Sequence, residues 1–351
     1  MSINAPLYRP IPIVDRDFQP VDRQTHPSEA ARRLLEGEAF VVVDHYRTGV
    51  QILEQLRAST PVPKPPNNYR ERQIYQSTLR EAEMRLLAPI EEHRVALNDA
   101  GYIGFLEELY PDRHSFLLPF VSVQELFGAW NHYEVGTHFP VLGHRLHPFY
   151  GTYAPTRTEH LELFATWLSQ YKGGRTRAVD VGTGCGVLAL MLAKAGFSRV
   201  VATDNNPNAI ESVRRDLERL SEPPKIELVH TDLLGEDTTP SELIVFNPPW
   251  IPGRVDDHLD HALYFEDGLF ERFFDQAVER LTSQGCLALI FSNVMGLIQP
   301  DVPHPIETEL ARGRFRLVAK TSRKVKPTPD KEGRRRRTRE KVEVWELALA
   351  E

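Results

Sequence analysis

The sequence predicts an α/β fold, a doubly wound sheet of seven mostly parallel strands in the C-terminal half, with a mainly helical N-terminal domain ahead of it. Three observations lead there. From residue 159 onward, short apolar runs alternate with amphipathic stretches, the pattern of strands linked by crossover helices. A glycine-rich loop, Gly182–Gly186, follows the first of those runs. The last two runs, Phe315–Ser322 and Val342–Leu349, have no crossover helix between them, so they are expected to be antiparallel.

Residues 1–26 are polar and dotted with proline, an arm on the surface. Helices are expected over 28–36, 48–58, 70–92 and Gly101–Tyr110, with a short strand at Ala39–Asp44 and a break at Pro61–Asn68. These make up a mainly helical domain over 1–120, available for substrate recognition. Residues 121–158 are aromatic and hold His132, His138, His144 and His147. Their spacing matches no common metal site, so no metal is expected, and the segment reads as a connecting hairpin or a cover for the next domain's pocket. The catalytic domain is placed at 159–351. Its strands are Arg177–Gly182, Arg199–Asp204, Lys225–His230, Glu242–Asn247, Cys286–Ser292 and the two final runs. Its helices are 159–171, 186–195, 207–220, 267–283 and 306–312.

Composition narrows the class. The chain has 351 residues, 41% hydrophobic, with a formal net charge of -7. Such a balance does not favour general nucleic-acid binding. Two cysteines, Cys185 and Cys286, form neither a disulfide framework nor a zinc spacing, and are expected to be reduced in a cytoplasmic protein. No signal peptide and no membrane span are expected. Ten basic and three acidic residues crowd the basic loop 323–341. A solvated loop is the plainer reading of that run, and docking of an anionic partner the sharper one.

The chemistry concentrates at the strand ends. The loop reads D-x-G-x-G-x-G, with Asp180, Gly182, Thr183, Gly184 and Gly186. A dinucleotide fingerprint would need glycine at 187, where the chain has Val187. Asp180 would repel a pyrophosphate and suits a ligand with a cationic amine. Asp204, followed by Asn205, ends the second strand, where a carboxylate can take both hydroxyls of a ribose. Asp232, followed by Leu233, comes after the third and can accept from an adenine amino group. Adenosine with a positively charged tail and no phosphates describes S-adenosylmethionine. Asp204 also suits a cap for the helix starting at Pro207. At the fourth strand's end stands Asn247-Pro248-Pro249-Trp250. An amide oxygen and a proline-constrained carbonyl can both accept hydrogens from a substrate NH2, and an indole can stack on a planar group or exclude water.

These residues carry a family likeness. Residues 150–349 resemble the class I S-adenosylmethionine-dependent methyltransferases, Rossmann-like enzymes, and most of all the small-domain branch that includes release-factor glutamine N5-methyltransferases and N6-adenine methyltransferases. The resemblance implies that Asp180–Gly186 meets the donor's methionine end, that Asp204 holds the ribose, and that Asn247, Pro248 and Trp250 bind the target nitrogen. "APTRTEHLELF" (Ala154–Phe164) resembles a segment of the glutamine enzymes, which implies donor-side roles for Arg157 and Thr158. Trp250 stands where those enzymes have tyrosine, and "ALIFSNV" (Ala288–Val294) lacks their glutamate. The expected activity is N-methylation of a planar amine or amide, on a protein side chain or a nucleobase ahead of a small molecule. A noncatalytic partner-binding module is the competing class, and a nicotinamide oxidoreductase is opposed by Asp180 and Val187.

Overall fold

The computed structural model describes residues 5–15, 17–60, 69–253, 264–326, 328–329, 335–336 and 339–350. The expected break at Pro61–Asn68 and residues 327, 330–334 and 337–338 of the basic loop 323–341 lie outside the described residues. The chain forms two compact units, Arg9–Glu134 and Met1–Tyr8 with Val135–Glu351.

The N-terminal unit contains β1 (Gln19–Val21), α1 (Pro27–Leu35), β2 (Phe40–Val42), α2 (Tyr46–Ser59), α3 (Tyr69–Glu83), β3 (Leu86–Glu91), β4 (Arg94–Val95), α4 (Phe105–Leu109), β5 (Ser115–Pro119) and α5 (Phe120–Val135). Helices dominate its length, as the periodicity predicts, but the unit also has a five-stranded sheet. β1, β2 and β3 run parallel, and β4 and β5 pair antiparallel with β3. The helix expected over 70–92 therefore ends at Glu83, and its last part is β3. The reason is local: Leu86, Leu87, Ala88 and Ile90 are all buried. An unbroken apolar run suits a strand covered on both faces, and Pro89 opposes a helix interior. The segment expected as a connecting hairpin over 121–158 is divided: its first part is α5, and a hairpin follows.

That hairpin pairs β6 (Thr137–Phe139) with β7 (His144–Leu146). Beyond it come α6 (Glu159–Gln170), β8 (Arg177–Val181), α7 (Val187–Lys194), β9 (Arg199–Asp204), α8 (Pro207–Arg219), β10 (Ile226–His230), β11 (Ser241–Phe246), β12 (Ile251–Pro252), β13 (Tyr264–Phe265), α9 (Leu269–Arg280), β14 (Leu281–Ser292), α10 (Val294–Ile298), α11 (Pro305–Arg312), β15 (Phe315–Lys324), β16 (Thr328–Pro329), β17 (Arg335–Arg336) and β18 (Lys341–Leu349). The seven-stranded sheet has the order β10-β9-β8-β11-β14-β18-β15. β10 to β14 are parallel, and β18 is antiparallel to both β14 and β15, as the missing crossover predicts.

Side-chain alternation builds a core on each face of this sheet. Ala178, Leu243, Val245, Ala288 and Ile290 pack with α6 and α7. Val179, Val181, Ile244, Phe246, Leu287 and Leu289 pack with α9 on the other side. α9 supplies Phe270, Phe273, Phe274 and Ala277, the spacing of one helix face. Full burial of each such phenylalanine contributes about 2 kcal/mol. The order of β8, β9 and β10 winds one way from β8, and β11 and β14 wind the other. A switch point therefore lies between β8 and β11, where sheets of this type open a crevice at the carboxyl ends of their strands. Among the described residues, no helix is long and apolar enough to cross a membrane.

Candidate active site

A cleft of about 450 Å³ opens at that switch point, lined by loops after β8, β9, β10 and β11. The glycine loop makes its floor. Gly182, Gly184 and Gly186 have φ values of 63°, 53° and 79°, the left-handed region that favours glycine. A Cβ on Gly184 would stand 3.1 Å from the Tyr153 carbonyl oxygen, and one on Gly186 would stand 2.7 Å from Val213 Cγ2. Thr183 N–H donates to the Thr203 carbonyl at 2.9 Å, tying the loop to β9.

Asp204 lies at the end of β9, with 9% exposure. Its Oδ2 accepts from Gly184 N–H at 2.8 Å and its Oδ1 from Asn206 N–H at 2.9 Å. The cap of α8 is Asn206 instead, whose side chain accepts from Asn208 N–H. Asp204 is therefore not the helix cap and faces the cleft. Asn205, Asp232 and Leu233 line the cleft as well. Leu233 has φ 50°, a strained value for a leucine, and its carbonyl accepts the Thr203 hydroxyl at 2.6 Å. The Asp232 carboxylate sits 3.6 Å from the Arg272 guanidinium, both half-exposed at the rim.

Asn247, Pro248, Pro249 and Trp250 form one wall. Asn247 Oδ1 is buried and has no hydrogen-bond partner. Trp250 Nε1–H donates to the Ile290 carbonyl at 3.2 Å, so its ring is pinned between the two cores. Arg157 lines the cleft, with Nη1 buried.

Three residues from the sequence reading are not brought to the cleft. Asp180 is fully buried behind the loop. Its Oδ2 accepts from Thr183 Oγ1 at 2.6 Å and from Ala189 N–H at 2.9 Å. It thus braces the loop and the start of α7 through Oδ2, while its Oδ1 is buried without a hydrogen-bond partner. Burial pushes its carboxyl up to about 7, and the nearby Asp204 charge adds to this. Gly186 is the N-cap residue of α7, outside the lining. Thr158 precedes α6, and its hydroxyl donates to Glu162 Oε1 at 3.1 Å.

Other lining residues were not singled out individually by the sequence. The segment 151–156 lines the cleft, held by Asn206 Nδ2–H donating to the Gly151 carbonyl at 2.8 Å. Tyr264 and Phe265 add aromatic surface. His160, second in α6, and Glu340, at the end of the basic run, are 4% and 3% exposed. Both fall within stretches singled out above, "APTRTEHLELF" and the basic loop, but neither was given a role there. Val325, Glu340 and Val342 bring the two ends of the basic loop to the cleft. Lys326 N–H donates to Glu159 Oε1 at 3.0 Å, and Arg323 pairs with Glu162 at 2.6 Å. Cys185 and Cys286 are free and buried, and burial pushes both thiols up to about 12. Among the described residues no three His, Cys, Asp or Glu side chains gather as a metal site.

The family model described as the methyltransferase small domain matches residues 161–322. Six of the seven sheet strands, from β8 to most of β15, and the cleft's glycine loop, Asp204, Asp232 and Asn247–Trp250 fall inside the match, and β18 lies beyond it. The chain is 28% identical over 146 residues to the release factor glutamine methyltransferase of Lactococcus lactis, covering 38% of this chain and 53% of the relative. Against the ribosomal protein L11 methyltransferase of Pelobacter propionicus it is 35% identical over 111 residues, 32% of this chain and 30% of the relative. Against the release factor glutamine methyltransferase of Deinococcus radiodurans it is 38% identical over 107 residues, 27% of this chain and 37% of the relative. The chain thus spans about half or less of these curated relatives' lengths. The relatives fall in more than one methyltransferase subfamily, so the similarity is not to one of them alone.

Proposed function

We propose that the protein is an S-adenosylmethionine-dependent N-methyltransferase acting on a planar amine or amide nitrogen of a macromolecule. The observation that carries this reading is Asn247 Oδ1, a buried acceptor without a donor, in the same cleft as a left-handed glycine loop and Asp204. A buried acceptor left open in a ligand cleft calls for a donor from the ligand.

The residues fit the donor. When bound, S-adenosylmethionine supplies an electrophilic methyl group on a positively charged sulfur. Gly182 and Gly184 let the backbone come close to it, since a side chain at 184 would fill that space. Asp204, oriented by two backbone N–H groups, presents its carboxylate to the ribose hydroxyls. Asp232 and Leu233 border the adenine side. The target nitrogen gives its hydrogens to Asn247 Oδ1 and the Pro248 carbonyl, which turns its lone pair to the methyl group. Trp250, pinned to Ile290, walls off water. Alignment of this kind supplies much of the rate of a two-reactant step, so no strong base is required.

A macromolecular acceptor is supported by relatives named for a release factor and a ribosomal protein. Acceptor recognition is assigned to the N-terminal unit and the basic loop. Calorimetric titration with S-adenosylmethionine, with NAD as control, tests the reading. Micromolar binding of the first and none of the second is expected, and the reverse refutes it.

A further inference from the structure

Residues 147–152 form neither strand nor helix, yet they are tied along one face of α8. The Asp216 carboxylate accepts from His147 N–H at 2.9 and 3.1 Å, and Ser212 Oγ accepts from Phe149 N–H at 3.0 Å. Asn208 Nδ2–H donates to the Tyr150 carbonyl at 2.7 Å. These three side chains stand four residues apart, one stripe of the helix, and all are buried. The Thr152 hydroxyl donates to the Asn208 carbonyl at 3.0 Å. The strip then crosses the glycine loop. Gly151, Tyr153 and Ala154 line the cleft, and the Tyr153 carbonyl is the group that a Cβ on Gly184 would meet.

Asn208 has a second partner, in the N-terminal arm. Tyr8 donates its N–H to Asn208 Oδ1 at 2.7 Å, and its carbonyl accepts from Nδ2–H at 2.9 Å. Met1–Tyr8 belong to the same compact unit as α8. The Asn208 amide is fully buried, and its oxygen and both of its hydrogens are satisfied by Tyr8 and Tyr150 together. It holds the arm on one side and the edge of the cleft on the other.

We infer that Asn208 is a positioning residue for the methyl donor, and that docking of the arm at Tyr8 keeps residues 150–153 in the shape the donor needs. This deepens the methyl-transfer reading and rests on its donor. A strip already held in its bound shape loses less freedom when the ligand arrives, so affinity depends on what holds it. When Tyr8 leaves, the buried Oδ1 loses its donor, and an amide that turns to find another gives up Tyr150. Linkage makes the effect mutual: the donor tightens the arm by the factor with which the arm tightens the donor.

The test uses the full chain and S-adenosylhomocysteine. Hydrogen exchange of the Tyr8 amide in wild type is expected to slow about tenfold when the ligand binds, the value of one buried hydrogen bond. Tyr8→Pro removes that N–H and Tyr8→Ala keeps it, so by calorimetry Tyr8→Pro should bind the ligand about tenfold more weakly than Tyr8→Ala. Asn208→Ala should lose at least as much, and adding Tyr8→Pro to it should cost nothing further. Tyr8 exchange that the ligand leaves unchanged, equal affinity of the two Tyr8 variants, or losses that add in the double variant overturn the assignment. Exchange is read in wild type, so it decides even if Asn208→Ala does not fold. Failure of wild type to bind S-adenosylhomocysteine overturns the donor reading and this assignment with it, whereas binding without these effects overturns this assignment alone.

Discussion

Replacing Asp204 with alanine separates ligand binding from folding. In the free protein the carboxylate accepts two backbone N–H groups, from Gly184 at 2.8 Å and Asn206 at 2.9 Å. Both donors are only partly buried, so water replaces much of what is lost. The expected cost to the fold is about 1–2 kcal/mol, a fall of roughly 5 °C in melting temperature. The cost to the donor is larger. Two ribose hydroxyls each lose a charge-assisted bond worth about 1.5–3 kcal/mol, so affinity should fall by roughly a thousandfold. Calorimetry with S-adenosylmethionine measures the second quantity and thermal melting without ligand the first. A folded Asp204→Ala protein that binds the donor as well as wild type refutes the ribose role and the orientation of the cleft built on it.

Asn247→Ala should retain donor affinity within about twofold while methyl transfer falls at least a hundredfold, because only transition-state alignment is lost. Radiolabelled donor measures the second, and full turnover rules out the amine-positioning role. Gly186→Ala should destabilise the protein by about 2 kcal/mol or more, since φ is 79° and the new Cβ would stand 2.7 Å from Val213 Cγ2; denaturant melts would show it. Stability against pH tests the two buried titratable groups. Asp180 is raised from 3.8 to about 7 on folding, so its favourable contribution is complete below the lower value and is lost as pH rises through the higher. His160 is lowered from 6.5 to about 4, so its contribution is complete above the higher value and is lost as pH falls through the lower. The two oppose each other between pH 4 and 7. Asp180→Asn should therefore lose about 3 kcal/mol relative to wild type on acidification from about pH 7 to about 4.5. Denaturant melts that stay parallel across that range would contradict the burial argument.

The C-terminal sheet was legible because its signals are local. Strand and helix periods, Gly182–Gly186 and the acids at strand ends are all short-range patterns, and a parallel sheet collects strand ends on one edge. The N-terminal sheet was not legible. β1 has three residues and β4 has two, too short to show a period. β3 is an unbroken apolar run that fits a buried strand and a helix alike until its neighbours are known. In the cleft, motif spacing pointed to Asp204, Asp232 and Asn247, which line it, and to Asp180, which is buried behind the glycine loop. Strand spacing does not tell whether a carboxylate at a loop's base points over the loop or beneath it.

The sequence by itself determined the chain order of the seven sheet strands, the glycine loop, and which polar residues stand at strand ends, since each depends on neighbours a few positions away. Tertiary structure alone decided that Asp180 braces the glycine loop, that Trp250 is pinned by Ile290, and that Asp180, His160 and Asn247 keep buried polar atoms without partners. Those outcomes turn on burial and hydrogen bonding between residues far apart in the chain. Contacts such as Trp250–Ile290 and Glu159–Lys326 exist only once the sheet has closed around the cleft.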